Sequence, residues 1–301
     1  MVRIPAPARP ETRAPGSGVP VSADRLSAAD VLLRLWRSLA DAFLPARCAS
    51  CRSFLRPERE GSGGPRFPEK SGAITDGARI LSSVVCANCL KDFAPVDSPL
   101  CTSCGVPFKS REGEDHFCGE CLKAPWHFRR ARAAAVYTPL MMALVQAFKY
   151  RAKIQLARPL GLLLFLAYRR FWPEADIDLV LPVPLHGGRF RHRGFNQAFL
   201  LIKEWAAFDS SPAGGPAAGV IVKDAVVRIR PTPPQTGLGR RDRLHNIRKA
   251  FRVERRQVIA QRRILLVDDV YTTGATVDEC AKTLLSAGAA RVDVLTLARA
   301  V

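Results

Sequence analysis

Apolar residues recur at helical spacing from 28 to 43, with Val31, Leu32, Leu35, Trp36, Leu39 and Phe43 on one stripe. Ser27 stands where an N-cap hydroxyl is expected. The pattern predicts an amphipathic helix over 25–44, packed on its own protein or docked on a partner or membrane surface. Residues 1–24 are rich in Pro, Ala and Arg and predict a disordered tail. Gly, Pro and charge dominate 52–85, which predicts a flexible insertion. From Ala133 onward, helical and β-rich runs alternate. Leu140–Lys153, Ala157–Phe171, Asn196–Phe208 and Val277–Ala287 read as helices. Ile177–Val183, Val220–Ile229, Ile264–Val267 and Val292–Leu297 read as strands. Such alternation predicts an α/β fold on a parallel sheet.

Charge changes the picture. The chain carries 46 Lys and Arg against 27 Asp and Glu, a net charge of +19. Either a compositional bias towards Arg or an anionic partner accounts for it. The longest apolar run, Leu160–Tyr168, has nine residues, against roughly 20 for a membrane span. The N-terminus lacks the apolar stretch of a secretory signal. These features predict a cytoplasmic protein with no membrane span, in which metal binding rather than disulfides is the default role for a set of nine cysteines.

Eight cysteines form four Cys-x-x-Cys pairs: Cys48/Cys51, Cys86/Cys89, Cys101/Cys104 and Cys118/Cys121. Each pair sets two thiolates in a tight turn, able to reach one ion at about 2.3 Å. Eight thiolates complete two closed four-sulfur sites, for which structural zinc is better suited than an iron–sulfur cluster. Sequential filling is the simplest pairing, and an interleaved cross-brace satisfies the same spacing. His116 and His127 lie nearby as ordinary surface histidines, and Cys280 as a buried apolar residue.

The segment Ile264-Leu-Leu-Val-Asp-Asp-Val-Tyr-Thr-Thr-Gly-Ala-Thr276 joins a buried strand to a helix. Open α/β sheets bind ligands at this strand end. Gly274 permits close backbone approach. Thr272, Thr273 and Thr276 add hydroxyls, and the helix N-terminus suits a phosphate. Asp268 and Asp269 would repel a phosphate but accept hydrogen bonds from ribose hydroxyls. The expected ligand is therefore a ribose phosphate held over Val270, Tyr271, Thr272, Thr273, Gly274, Ala275 and Thr276.

This loop resembles the 5-phosphoribosyl-1-diphosphate (PRPP) loop of type I phosphoribosyltransferases. The four cysteine pairs, Phe148-Lys149-Tyr150, Leu181-Pro-Val-Pro-Leu185, Arg193-Gly-Phe-Asn-Gln197, the Thr232–Gln235 segment, and Arg241 with Asn246 extend the likeness. Together they make the chain similar to the ComF/GntX family over about residues 44–301. The resemblance implies a double zinc ribbon over 45–125 and a phosphoribosyltransferase-fold domain over 133–301. It implies PRPP bound with Mg²⁺, and Asp268 and Asp269 as catalytic residues. It implies a diphosphate loop within Leu181–Arg193, where Gly187 and Gly188 allow close approach and Arg189, Arg191 and above all Arg193 neutralise charge, with Asn196 and Gln197 opening the next helix; a solvated basic turn is the alternative. Lys149 becomes a substrate candidate, as do Gln235, Arg241 and Asn246 on a flexible loop. Some family members serve natural competence, so single-stranded DNA is the alternative partner. Residues 228–263 hold twelve basic and two acidic residues, more charge than a diphosphate needs. The zinc ribbon would be structural or offer a protein-partner surface.

Overall fold

The computed structural model describes residues 46–55, 72–110, 112–150, 153–173, 176–209, 219–231 and 247–301. The expected tail and helix over 1–44 lie outside them, as do Gln235, Arg241 and Asn246. Helix α1 (Gly72–Leu81) precedes β1 (Ala131–Val136), α2 (Pro139–Tyr150), α3 (Ala157–Phe171) and β2 (Leu179–Pro182). Then come α4 (Gly187–Arg193), α5 (Gln197–Ile202), β3 (Val220–Ile221), β4 (Val226–Arg228) and β5 (Phe251–Val253). β6 (Arg263–Tyr271), α6 (Ala275–Ser286) and β7 (Arg291–Arg299) complete the chain.

Five strands form one parallel sheet in the order β1-β7-β6-β2-β3, and β4 pairs with β5 in a separate antiparallel ribbon. The protein is thus α/β with a parallel main sheet, as its alternating pattern predicts. Central β6 explains the uninterrupted apolar run. Ile264 to Val267 are all fully buried, because helices cover both faces. Leu265 and Val267 pack with Phe148, Leu164 and Trp205 on the α2–α3 side. Ile264 and Leu266 pack with Val277, Cys280 and Leu284 of α6.

Four differences from the sequence reading have physical causes. β6 continues past Val267 to Tyr271 because β7 pairs beside it, through Asp268 with Thr296 and Tyr271 with Arg299. The expected strand Val220–Ile229 splits in two at the exposed charges Lys223 and Asp224. The expected helix Asn196–Phe208 breaks after Ile202. The insertion expected to be flexible contains α1, whose Ala78 and Leu81 are buried.

The cysteine region and the sheet do not have separate cores. Residues 46–301 fall in one unit. One buried cluster joins Cys48, Leu81 and Phe93 to Leu160 and Leu164 of α3. The other joins Cys101, Cys104 and Cys121 to Tyr271, Ala275 and Val294.

Candidate functional site

The cysteine knuckles assemble sequentially. Cys48, Cys51, Cys86 and Cys89 form one quartet, and Cys101, Cys104, Cys118 and Cys121 the other, with ligand atoms within 4.8 Å of one another in each. Cys51 Sγ lies 3.7 Å from Cys86 Sγ, and Cys104 Sγ 3.8 Å from Cys118 Sγ. A tetrahedron with metal–sulfur bonds of about 2.3 Å has an edge of about 3.8 Å, so both quartets fit zinc. All nine cysteines are free of disulfides. The Cys86 N–H donates to Cys48 Sγ at 3.4 Å, and the Cys118 N–H to Cys101 Sγ at 3.3 Å. The bond to Cys101 favours the thiolate form that metal needs.

The acidic pair sits near the C-terminal end of β6. Successive strand residues face opposite sides, yet both acids reach the same cavity at the strand end. Asp269, 4% exposed, meets Lys149 at the end of α2, with Nζ 2.6 Å from Oδ1. Burial opposes the Lys149 charge, but the Asp269 carboxylate outweighs it and the ammonium pKa is raised. Among the described residues, Asp269 Oδ2 is buried without a hydrogen-bond partner. Asp268 Oδ1 accepts from the Asp269 N–H at 2.8 Å. Burial and then the Asp269 charge push the Asp268 carboxyl up to about 7.

The loop after β6 turns at Gly274, whose φ is +80°. A Cβ there would lie 2.2 Å from the Tyr271 hydroxyl oxygen, so a side chain is excluded by space as well as by backbone. Gly274 is also the N-cap of α6, and no side chain caps that helix. The first-turn N–H groups are thus free of an internal side-chain acceptor.

A cavity of about 450 Å³ opens beside these groups. Lys149, Arg193, Gln197, Asp268, Asp269 and Thr276 line it, so the structure gathers six sequence candidates from three separate segments. Others are placed differently. Asn196 caps α5, accepting from Ala198 N at 2.9 Å, and donates to the Val183 carbonyl. Arg193 donates to Gln197 Oε1 at 2.6 Å and lies over the exposed Tyr150 ring, 5.1 Å from its centroid. Tyr271 is buried against Trp126 and Phe128. The expected diphosphate loop is partly helix: Gly187–Arg193 form α4, and the Gly188 N–H is taken by His186 Nδ1 at 3.2 Å.

Sequence reasoning missed Arg228, which also lines the cavity. It is 9% exposed, and burial followed by the charge of Arg189 lowers its pKa to about 10. The two-residue alternation of Val226-Val227-Arg228 was a usable signal, since Val226 is buried too. Twelve basic residues in one stretch hid it.

A family model for the double zinc ribbon domain matches residues 77–122. The chain is 35% identical over 224 residues to the "DNA utilization protein YhgH" of Escherichia coli O6:H1, covering 71% of this chain and 90% of that protein. It is 31% identical over 225 residues to the "Competence protein F" of Haemophilus influenzae, covering 73% and 93%. It is 26% identical over 222 residues to the "Competence protein ComFC" of Bacillus subtilis, covering 71% and 84%. With its two four-cysteine sites, its parallel sheet and relatives matched over most of their length, the chain belongs to the ComF/GntX family.

Proposed function

We propose that the cavity beside Asp268 and Asp269 binds PRPP with Mg²⁺, in a phosphoribosyltransferase-type fold that serves DNA uptake or utilisation. One observation carries this reading: an acidic pair adjoins an uncapped helix N-terminus in a cavity rimmed by Lys149, Arg193 and Arg228. The 5-phosphate would rest on the first-turn N–H groups of α6 and the hydroxyls of Thr273 and Thr276. Asp268 and Asp269 would accept hydrogen bonds from the ribose hydroxyls. Arg193 and Arg228 would neutralise the diphosphate. Lys149 holds Asp269 in a charged pair until hydroxyls compete for it. The unpartnered Asp269 Oδ2 is suited to a hydroxyl or a metal-bound water. Mg²⁺, when bound, would screen the diphosphate charge as that group leaves.

In turnover, the bond from the ribose anomeric carbon to the diphosphate breaks and diphosphate departs with the electron pair. An acceptor nucleophile forms the new bond and loses its proton. The names of the relatives support a second reading, a non-catalytic DNA-associated role using the same site as a sensor. Salt-dependent binding of single strands in the absence of PRPP turnover separates it from the first.

Titration calorimetry with Mg²⁺ tests the ligand. Asp268→Asn with Asp269→Asn removes charge and keeps size. A lost charge-assisted hydrogen bond costs about 1.5–3 kcal/mol, so PRPP affinity should fall at least about tenfold. Inorganic phosphate should bind nearly as before. Parent-like PRPP affinity in the double variant would remove the ribose assignment.

A further inference from the structure

The second quartet lies against the phosphate loop. Arg299, the last residue of β7, donates from Nη2 to Cys104 Sγ at 3.3 Å, and its guanidinium covers the Tyr271 ring 4.1 Å from the centroid. Trp126 donates from Nε1 to Cys121 Sγ at 3.3 Å and meets Tyr271 edge-on, with centroids 6.5 Å apart. A Cβ on Gly274 would lie 3.2 Å from Trp126 Cη2. One residue further on, the His127 N–H donates to Asp278 Oδ1 at 2.7 Å, and His127 Nδ1 lies 2.9 Å from Oδ2. Asp278 is in the first turn of α6. Two sulfurs of this quartet therefore bond to two side chains that enclose Tyr271 and Gly274, and the next residue grips the helix that follows.

We infer that Trp126 and Arg299 are positioning residues that hold the Tyr271–Thr276 loop in its ligand-ready shape, and that they do so only while the second quartet is assembled around metal. The inference rests on the loop being the phosphate cradle proposed above. Among the described residues, no hydrogen bond joins the first quartet to this loop. Its core neighbours are Leu81, Val85 and Phe93, and Gly77 of α1 rests on Phe93 and on Leu163 of α3. Metal in the second quartet and anion at the loop are thus linked, and such coupling is reciprocal. Each should tighten the other by about 5–150-fold, the usual range for coupled sites.

The test uses the full-length zinc-loaded chain and three variants. Trp126→Phe keeps an aromatic side chain and removes the bond to Cys121. Arg299→Lys keeps charge and removes the planar fork. Cys51→Ser disables the first quartet and is the control. Hydrogen exchange of the 271–278 amides reads the loop without ligand. Calorimetry with ribose 5-phosphate reads the cradle, and chromogenic chelation reads zinc release with and without it. The expected result has three parts. Exchange over 271–278 accelerates in Trp126→Phe and Arg299→Lys but not in Cys51→Ser. Ribose 5-phosphate affinity falls at least about fivefold in the first two. Ribose 5-phosphate slows release of one zinc of two in the parent. Unchanged exchange in both Trp126→Phe and Arg299→Lys overturns the inference even if ribose 5-phosphate binds. Accelerated exchange in a parent background that does not bind ribose 5-phosphate supports the positioning role and removes the ligand reading instead.

Discussion

Two quartets of identical Cys-x-x-Cys spacing differ in how far they are buried and in what they are buried against. In the first, only Cys48 is buried, Cys86 and Cys89 are half-buried and Cys51 is exposed. The Ser53 hydroxyl, then the Ser53 backbone, hold the Cys51 thiol down to about 6. In the second, Cys101, Cys104 and Cys121 are buried within the core that also holds Tyr271 and Val294. Cys101 is held down to about 4, chiefly by its hydrogen bond with Cys104, against the opposing effect of burial. Gly105 shows how close the contact is: at φ +68°, a Cβ there would lie 2.3 Å from the Ala131 carbonyl oxygen at the start of β1. The lesson is that one motif makes a peripheral clamp in one place and a structural part of a sheet edge in the other. Knuckle spacing sets the ligand chemistry; the surroundings set what that chemistry supports.

The largest expected effect comes from losing one metal site at a time. Cys101→Ser removes a buried ligand and should destabilise the chain by about 3 kcal/mol or more, because metal loss and the burial of a polar hydroxyl add. Cys51→Ser should cost clearly less, since its site is open to water. Each variant should retain one zinc by elemental analysis, against two in the parent. Equal shifts in melting temperature for the two variants would break the comparison.

Arg132 tests how the second quartet is fastened. Its Nη1 donates to the carbonyls of Thr102 at 3.1 Å and Ala131 at 2.8 Å, and more weakly to that of Cys101 at 3.4 Å. Burial lowers its pKa to about 10. Arg132→Met keeps much of the packing and takes this donor from the Thr102 and Ala131 carbonyls, while that of Cys101 keeps the Gly105 N–H; the change should cost about 2 kcal/mol, at about 1–3 kcal/mol for a buried unmade bond. Denaturant midpoints measure it. A parent-like midpoint would mean that the quartet is held by its ring contacts alone.

The smallest effect concerns a region that neither quartet provides. At the N-terminal end of the sheet, Arg263 grips Asp178, with Nη2 2.9 Å from Oδ1. The side-chain and then the backbone hydrogen bonds of Arg263 hold the Asp178 carboxyl down to about 2. A depressed carboxylate stabilises the fold fully above its unfolded value of about 3.9. That contribution disappears as pH falls through the folded value near 2. Acid unfolding of Asp178→Asn should therefore be shallower than the parent's between about pH 4 and 2, with zinc content at neutral pH unchanged. An identical acid transition would show that other carboxylates govern this end.

The chemistry-bearing residues were legible from local pattern. Four Cys-x-x-Cys turns specify a four-sulfur donor set because ligand spacing within a turn is a local property. The apolar run Ile264–Val267 followed by acids and a Thr/Gly turn specifies strand, loop and helix for the same reason. Other features were out of reach of local pattern. β6 runs on to Tyr271 because a partner strand lies beside it. Asn196 caps α5 while Gln197 reaches the cavity, one residue apart on the same helix start. Arg228 enters the cavity from a ribbon more than thirty residues before the acidic pair. Above all, no spacing rule says that Trp126 and Arg299, 173 positions apart in the chain, meet at Tyr271 with cysteine sulfurs behind them. Ligand type follows from neighbours along the chain, whereas contact between a metal site and a loop follows from which strands lie side by side. Only the folded sheet decides that.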